Sequence, residues 1–279
     1  MYQMKCNLKG ITIEYDVIGE GKPVIMLHGW PLDHRIMTRN FEPIFENRDG
    51  WKRIYPDLPG MGRTPGVDWV SSQDQILEVM LDFIANVAPG QSVSIAGFSY
   101  GGYLARGVVH RRAAVVDGLC LIAPIVLSHH DERTLPDHIS LLEDQALVAT
   151  LDENIAAAFQ GFAVVQSREL LDSMLAVGGP AREIADYDFL SRLEKNFAFS
   201  FEVDQLPEPF GGPTLFFMGR QDASCGYRDA WSLIENFPRG TFVVMDRAGH
   251  GLMVEQKSLF ENLVKEWLDR VEEYSTGVS

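Results

Sequence analysis

Residues 93–109 read Val93-Ser94-Ile95-Ala96-Gly97-Phe98-Ser99-Tyr100-Gly101-Gly102-Tyr103-Leu104-Ala105-Arg106-Gly107-Val108-Val109. Val93 to Ala96 have the pattern of a short buried strand. Tyr100 to Val109 suit a helix with Tyr103, Leu104 and Val108 at core-facing spacing. Between them lies Gly97-Phe98-Ser99-Tyr100-Gly101, a G-x-S-x-G sequence. A strand that turns directly into a helix bends sharply. A Cβ two residues before or after the serine would strike the neighbouring chain, so glycine is needed at both places. The bend leaves the Ser99 hydroxyl exposed at a helix start, where free N–H groups and the helix dipole favour a developing negative charge. This strand–turn–helix context is what makes the pattern read as a nucleophile turn.

Outward from this stretch, strands and helices alternate. Ile11 to Ile18 alternates apolar and polar side chains, as a half-exposed strand does. Val24-Ile25-Met26-Leu27 is continuously apolar, which suits a central strand buried on both faces. It runs into His28-Gly29-Trp30-Pro31. Ile36 to Phe45 is a candidate helix, Trp51 to Tyr55 a strand, and Pro56-Asp57-Leu58-Pro59-Gly60-Met61-Gly62-Arg63 a loop. Ser71 to Val87 carries helical periodicity with Ser72 as N-cap, and Val115 to Ile122 is a further apolar strand. This order predicts a doubly wound, mostly parallel sheet in the α/β class, covered by helices on both faces.

Near Ser128 the rhythm changes. From about 128 to 206 only helical patterns appear: Ile139 to Leu151, Glu153 to Val165, Glu169 to Val177 and Ile184 to Phe199, with Gly178-Gly179-Pro180 as a break. Such a block between sheet strands reads as a helical cap, residues 128–206, inserted into a core made of 1–127 and 207–279. Alternation resumes with the strand Thr214 to Met218, its exit loop Gly219-Arg220-Gln221-Asp222, and a helix from Tyr227 to Asn236. The strand Thr241 to Met245 follows, then Ala248-Gly249-His250-Gly251 and a closing amphipathic helix from Leu259 to Val271.

Composition narrows the function classes. A net charge of -15 argues against nucleic acid and anionic membrane surfaces as partners. No segment approaches the ~20 apolar residues that span a bilayer. Three cysteines, Cys6, Cys120 and Cys225, form no CxxC, and the odd number suits a reducing compartment. The N-terminus lacks an apolar run of signal-peptide length, so the expectation is a cytoplasmic protein acting on a small-molecule substrate. No feature specifies an oligomeric state.

A serine needs a base within hydrogen-bond reach, and that base needs an orienting acid. Of seven histidines, only His250 sits in a glycine-flanked loop just after the last expected strand. Asp222 follows the strand before it. In a parallel sheet the strand-exit loops share one edge, so Ser99, Asp222 and His250 are expected to meet there. Asp246 and Glu255 compete for the acid role, but Asp246 is too near His250 in the chain to reach behind its ring. Acyl transfer also needs oxyanion donors: the Tyr100 N–H, which opens the helix, and the Trp30 N–H in the loop after the Val24–Leu27 run. Phe197, Phe199, Phe201 and Phe210 are candidates for a pocket entrance or for core.

With these residues in order, the chain resembles α/β-hydrolase-fold proteins of the serine-nucleophile branch. The resemblance rests on His28-Gly29-Trp30-Pro31, the stretch 57–63, the Ser99 turn, Gly219-Arg220-Gln221-Asp222 and Gly249-His250, and it covers nearly the whole chain. It implies a sheet of about eight strands, a variable cap and no cofactor. A serine at 99 departs from relatives with an aspartyl nucleophile. Gly29-Trp30-Pro31-Leu32 and Tyr100 depart from the Gly-Gly-Pro-Gly loop and tryptophan typical of proline iminopeptidases. The expected activity is hydrolysis of a small carboxylic ester or related acyl compound. Carbon–carbon bond hydrolysis and iminopeptidase-like cleavage are the enzymatic alternatives, and a ligand receptor on the same fold the non-enzymatic one.

Overall fold

The apolar runs become the centre of a single eight-stranded sheet in the computed structural model, which describes residues 2–277. The strands are β1 (Tyr2–Leu8), β2 (Ile11–Ile18), β3 (Lys22–Leu27), β4 (Trp51–Pro56), β5 (Val93–Phe98), β6 (Val116–Ile122), β7 (Thr214–Gly219) and β8 (Gly240–Met245). Their spatial order is β1-β2-β4-β3-β5-β6-β7-β8. β1 and β2 pair antiparallel, β2 is antiparallel to β4, and every later pairing is parallel. β1 was not expected from the sequence. It is a largely exposed edge strand whose polar residues give no apolar pattern.

Side-chain alternation divides the core into two layers. Ile25, Leu27, Ile95, Leu119, Leu121 and Phe216 point to one face. There they pack against α2 (Gln73–Val87) and α3 (Tyr100–Arg112). Val24, Met26, Ala96, Cys120, Leu215 and Phe217 point to the other, against α1 (His34–Phe45) and the closing helix (Lys257–Thr276). Both faces of the central strands are therefore dry, which is why their sequences are apolar without alternation. Ser72 caps α2 by accepting from Gln75 N, and Asp33 caps α1 by accepting from Arg35 N.

Between β6 and β7 lie α4 (Gln145–Val148), α5 (Glu153–Gln160), α6 (Arg168–Ser173), α7 (Gly179–Ile184) and α8 (Tyr187–Glu194). The expected Glu153 to Val165 helix ends at Gln160 and the expected Ile184 to Phe199 helix spans only Tyr187–Glu194, and two larger differences stand beside these. Most of the Ile139 to Leu151 helix is absent, because Leu141 N, Leu142 N and Gln166 N pair with the carbonyls of Val164 and Leu142 in a strand-like clasp. Gly178-Gly179-Pro180 does not break the chain. A π-turn over Met174–Gly178 joins α6 to α7, with Gly179 N donating to Met174 O. Such a wide turn accommodates a proline that lacks its own N–H. Beyond β7, the expected helix from Tyr227 to Asn236 is one short helix, α9 (Arg228–Trp231), followed by a 3₁₀ turn. α10 (Leu252–Glu255) then precedes the closing helix, α11 (Lys257–Thr276).

A buried charge cluster fixes the loops after β3 and β4. Asp57, with no exposed surface, accepts from His34 N at 3.0 Å and from Arg63 Nε at 2.6 Å, and contacts His34 Nδ1 at 2.7 Å. Arg63 also bonds Asp16 at 2.8 Å. Burial pushes the Asp57 carboxyl up, but hydrogen bonds and charge from His34 outweigh it and hold the group well below the usual carboxylate range. A depressed carboxyl stabilises the fold above its unfolded value of about 3.9, and that contribution fades as pH falls below it. Asp57→Asn should therefore cost about 3–5 kcal/mol at neutral pH. Urea unfolding across an acid series should show the wild type losing its advantage below about pH 4.

Candidate active site

Three loops from the same sheet edge converge on Ser99. The serine sits between β5 and α3 with φ 54° and ψ -112°, a strained conformation for a residue with a side chain. A Cβ on Gly97 would lie 2.4 Å from the Gly101 carbonyl oxygen, and one on Gly101 would lie 2.2 Å from the Leu27 carbonyl oxygen. Backbone bonds hold the turn: Ser99 N donates to Ile122 O at 2.9 Å, and Ser99 O accepts from Gly102 N, Tyr103 N and Ile125 N.

Asp222, after β7, is fully buried. Its Oδ1 accepts from Ser224 N at 2.8 Å and Cys225 N at 3.0 Å, which leaves Oδ2 to His250 Nδ1 at 2.9 Å. With its Nδ1 proton directed at the carboxylate, His250 presents the Nε2 lone pair to Ser99 Oγ at 3.1 Å. The three residues expected from the sequence thus form one continuous relay. Asp246 is exposed on the turn after β8, and the His250 Nδ1 partner is Asp222.

Trp30 and Tyr100 also meet here. A Cβ on Gly29 would approach Ser99 Cβ to 3.2 Å, so the loop after β3 lies directly against the serine. Among the described residues, the N–H groups of Trp30 and Tyr100 have no acceptor. The loop is clamped by His28, which burial keeps neutral: Nδ1 donates to Gly29 O at 2.9 Å and Nε2 accepts from Leu58 N at 2.9 Å. The Trp30 ring packs edge-on against Tyr100 and Phe197, with centroids 5.2 and 5.5 Å away. Burial pushes the Tyr100 hydroxyl well up, so it remains a donor, to Gln73 Oε1.

Two chambers share Ser99, His250, Trp30, Phe162 and Arg182. The inner one is walled by Leu32, Ile36, Phe98, Leu170, Met174, Met253 and Val254. The outer one is mixed, adding His129, His130, Arg133 and Glu194 to apolar walls of Ile125 and Phe197. Of the four phenylalanines singled out, only Phe197 walls a chamber. Phe199 and Phe201 stack in a ladder from Tyr103 to His110, and Phe210 packs on Phe237. Cys225 also lines the outer chamber, its Sγ 3.9 Å from Ser99 Oγ, and burial pushes its thiol up so that it stays protonated. Sequence reasoning did not anticipate Cys225 or the insert residues Phe162, Leu170, Met174 and Arg182. Wall residues at helical spacing look like core residues. Among the described residues, two clusters carry metal-ligating atoms, Asp222/Cys225/His250 and Asp33/His34/Asp57. The carboxylates of the second are already held by His34, Arg35 and Arg63, and the single carboxylate of the first by Ser224 N, Cys225 N and His250, so neither donor set favours a cation.

The profile of the Alpha/beta hydrolase family matches residues 24–261. The chain is 24% identical to a pimeloyl-[acyl-carrier protein] methyl ester esterase of Legionella pneumophila (strain Corby), over 92% of this chain and 100% of that one. It is 24% identical to a 2-hydroxy-6-oxo-6-(2'-aminophenyl)hexa-2,4-dienoic acid hydrolase of Metapseudomonas resinovorans, over 95% and 90% of the two chains. Its fold superposes on an alpha/beta superfamily hydrolase from Oenococcus oeni PSU-1 with a TM-score of 0.87 at 28% identity, covering 98% of this chain and 100% of that one.

Glu255, the other acid weighed for the relay, has a different place. Its Oε2 accepts from Gly249 N at 2.7 Å, beside His250, and its Oε1 accepts from Val164 N and Val165 N of the insert at 2.7 and 3.1 Å. Burial raises its carboxyl and the three N–H donors oppose that rise without cancelling it. One side chain thus pins the histidine loop to the insert. Because all three partners are donors, even the isosteric Glu255→Gln sets an amide N–H against an N–H. It should destabilise the protein by about 1–3 kcal/mol in chemical denaturation, a loss that Asp, one methylene shorter, does not restore.

Proposed function

Because the chain belongs to the Alpha/beta hydrolase family, we propose that it is a serine esterase acting through Ser99, His250 and Asp222. Ser99 Oγ attacks the ester carbonyl carbon while its proton passes to His250 Nε2. Asp222 holds the imidazolium that forms. The carbonyl oxygen, now negative, lies between the Trp30 and Tyr100 N–H groups. Collapse of the tetrahedral intermediate breaks the bond to the alkoxy oxygen, which takes the proton from His250 and leaves as the alcohol. A water, deprotonated by the same ring, then releases the acyl group from Ser99 as a carboxylic acid.

The observation that carries this reading is the pair of free N–H groups on the backbone beside a serine whose hydroxyl already faces an acid-oriented histidine. Losing one such donor costs on the order of 2.7–4 kcal/mol in acyl transfer, so the arrangement is worth several orders of magnitude in rate. The acyl group fits the inner, apolar chamber, because it must stay after the alcohol has left. The leaving alcohol fits the outer one, which is more polar than the inner. Residues 128–206 act as a cap, since Phe162, Leu170, Met174 and Arg182 close the inner chamber over Ser99.

The histidines and arginines of the outer chamber suit an anion, which supports a second reading, hydrolysis of a carbon–carbon bond in a dienoic keto acid. The same nucleophile, base and oxyanion donors serve both. Turnover of p-nitrophenyl esters compared with a yellow meta-cleavage product separates the two.

A fluorophosphonate probe should label the wild type and not Ser99→Ala. Ser99→Ala and Asp222→Asn should each lower kcat on a p-nitrophenyl ester by about 10⁴ or more with folding intact. Failure of a folded wild type to react with the probe would favour a ligand receptor on the same fold.

A further inference from the structure

The proposed chemistry leaves two polar side chains of the inner chamber unused, Arg182 and Ser173, and of these Ser173 is the buried one. Ser173 ends α6, is 4% exposed and lines the chamber. Leu170, Met174, Met253 and Val254 line the same chamber with apolar side chains, and Arg182 is its charged member. A helical serine ordinarily bonds back to a carbonyl one turn earlier, as Thr38 Oγ1 does to His34 O at 3.1 Å and Ser275 Oγ to Val271 O at 2.7 Å. Among the described residues, the side-chain hydrogen bonds include none from Ser173 Oγ. It is also absent from the atoms sealed off from open space, so its hydroxyl faces the chamber. Open to the chamber and without a protein acceptor, the hydroxyl is free to donate to a group bound there. The π-turn that begins at Met174 presents Met174, Gly178 and then Arg182 to the same space, so the wall that carries Ser173 is continuous with the mouth of the chamber.

We propose that Ser173 is a specificity-determining residue whose hydroxyl donates a hydrogen bond to an oxygen carried within the acyl chain. The preferred substrates are then esters of oxygen-bearing acids, with an ether or keto oxygen along the chain, in preference to simple alkanoate esters. This rests on the esterase reading and on placing the acyl group in the inner chamber. An alkanoate of equal length fills the same volume but leaves the hydroxyl unpaired. An ether oxygen at the right depth satisfies it.

The test uses three p-nitrophenyl esters of equal chain length: pentanoate, ethoxyacetate and methoxypropanoate. The intrinsic reactivities differ, so the readout is the change in each ether-to-pentanoate kcat/KM ratio between the wild type and Ser173→Ala. For at least one ether ester this ratio should fall about tenfold in the variant, the worth of one hydrogen bond. Alanine is the better helix former, so the variant should fold, and its thermal midpoint verifies that. Ratios identical in the two proteins for both ether esters would overturn the proposal. Wild-type protein that neither reacts with a fluorophosphonate nor turns over any of the three esters would overturn it by another route, since the esterase reading itself would then have failed.

Discussion

The whole site depends on a steric constraint at two backbone positions. Gly97 and Gly101 leave no room for a Cβ, since the Gly101 and Leu27 carbonyl oxygens stand 2.4 and 2.2 Å from where one would be. This close approach lets β5 turn into α3 within one residue, with Ser99 at a positive φ. A wider turn would carry Ser99 Oγ away from His250 and the Tyr100 N–H away from the loop after β3. The strain is held by bonds from Ile122, Ile125 and the first turn of α3, all of them on buried backbone.

Around that turn, two buried acids do most of the positioning, and each acts differently. Asp222 spends one oxygen on its own loop and gives the other to His250, so the histidine is oriented by a group that cannot itself swing. Asp57 holds His34 and Arg63, and through them the loops that follow β3 and β4. His28, neutral and enclosed, adds a second clamp between those loops. The Trp30 N–H therefore sits on a segment fixed from both sides.

The insert is anchored rather than merely laid on top. Its own small core of Leu147, Phe159, Ala163, Leu170 and Leu171 extends to Val254 in α10, just after His250. Glu255 joins the same two parts by hydrogen bonds. Shape of the inner chamber and geometry of the histidine are consequently coupled: a change in the insert that moves Val164 also acts on Gly249.

Most of the frame is written in local sequence. Apolar runs without alternation mark strands buried on both faces, and the glycines around Ser99 mark a turn that no other residue tolerates. Chain order then puts Ser99, Asp222 and His250 at one sheet edge, because parallel strands share an exit side. Other features depend on what the chain meets after folding. The edge strand β1 has no apolar face to announce it. The Ile139 to Leu151 stretch has helical periodicity, yet most of it gives its backbone bonds to Val164. Gly178-Gly179-Pro180 looks like a break and is carried through by a π-turn. Glu255 has the chemistry of a catalytic acid, and only its three N–H neighbours make it a tether. The sequence by itself determined the strand order's raw material, the elbow and the chain order of the three relay residues, because those follow from backbone sterics and side-chain period. Tertiary structure alone decided which insert residues face Ser99, since an apolar side chain at helical spacing satisfies a core and a chamber wall equally well.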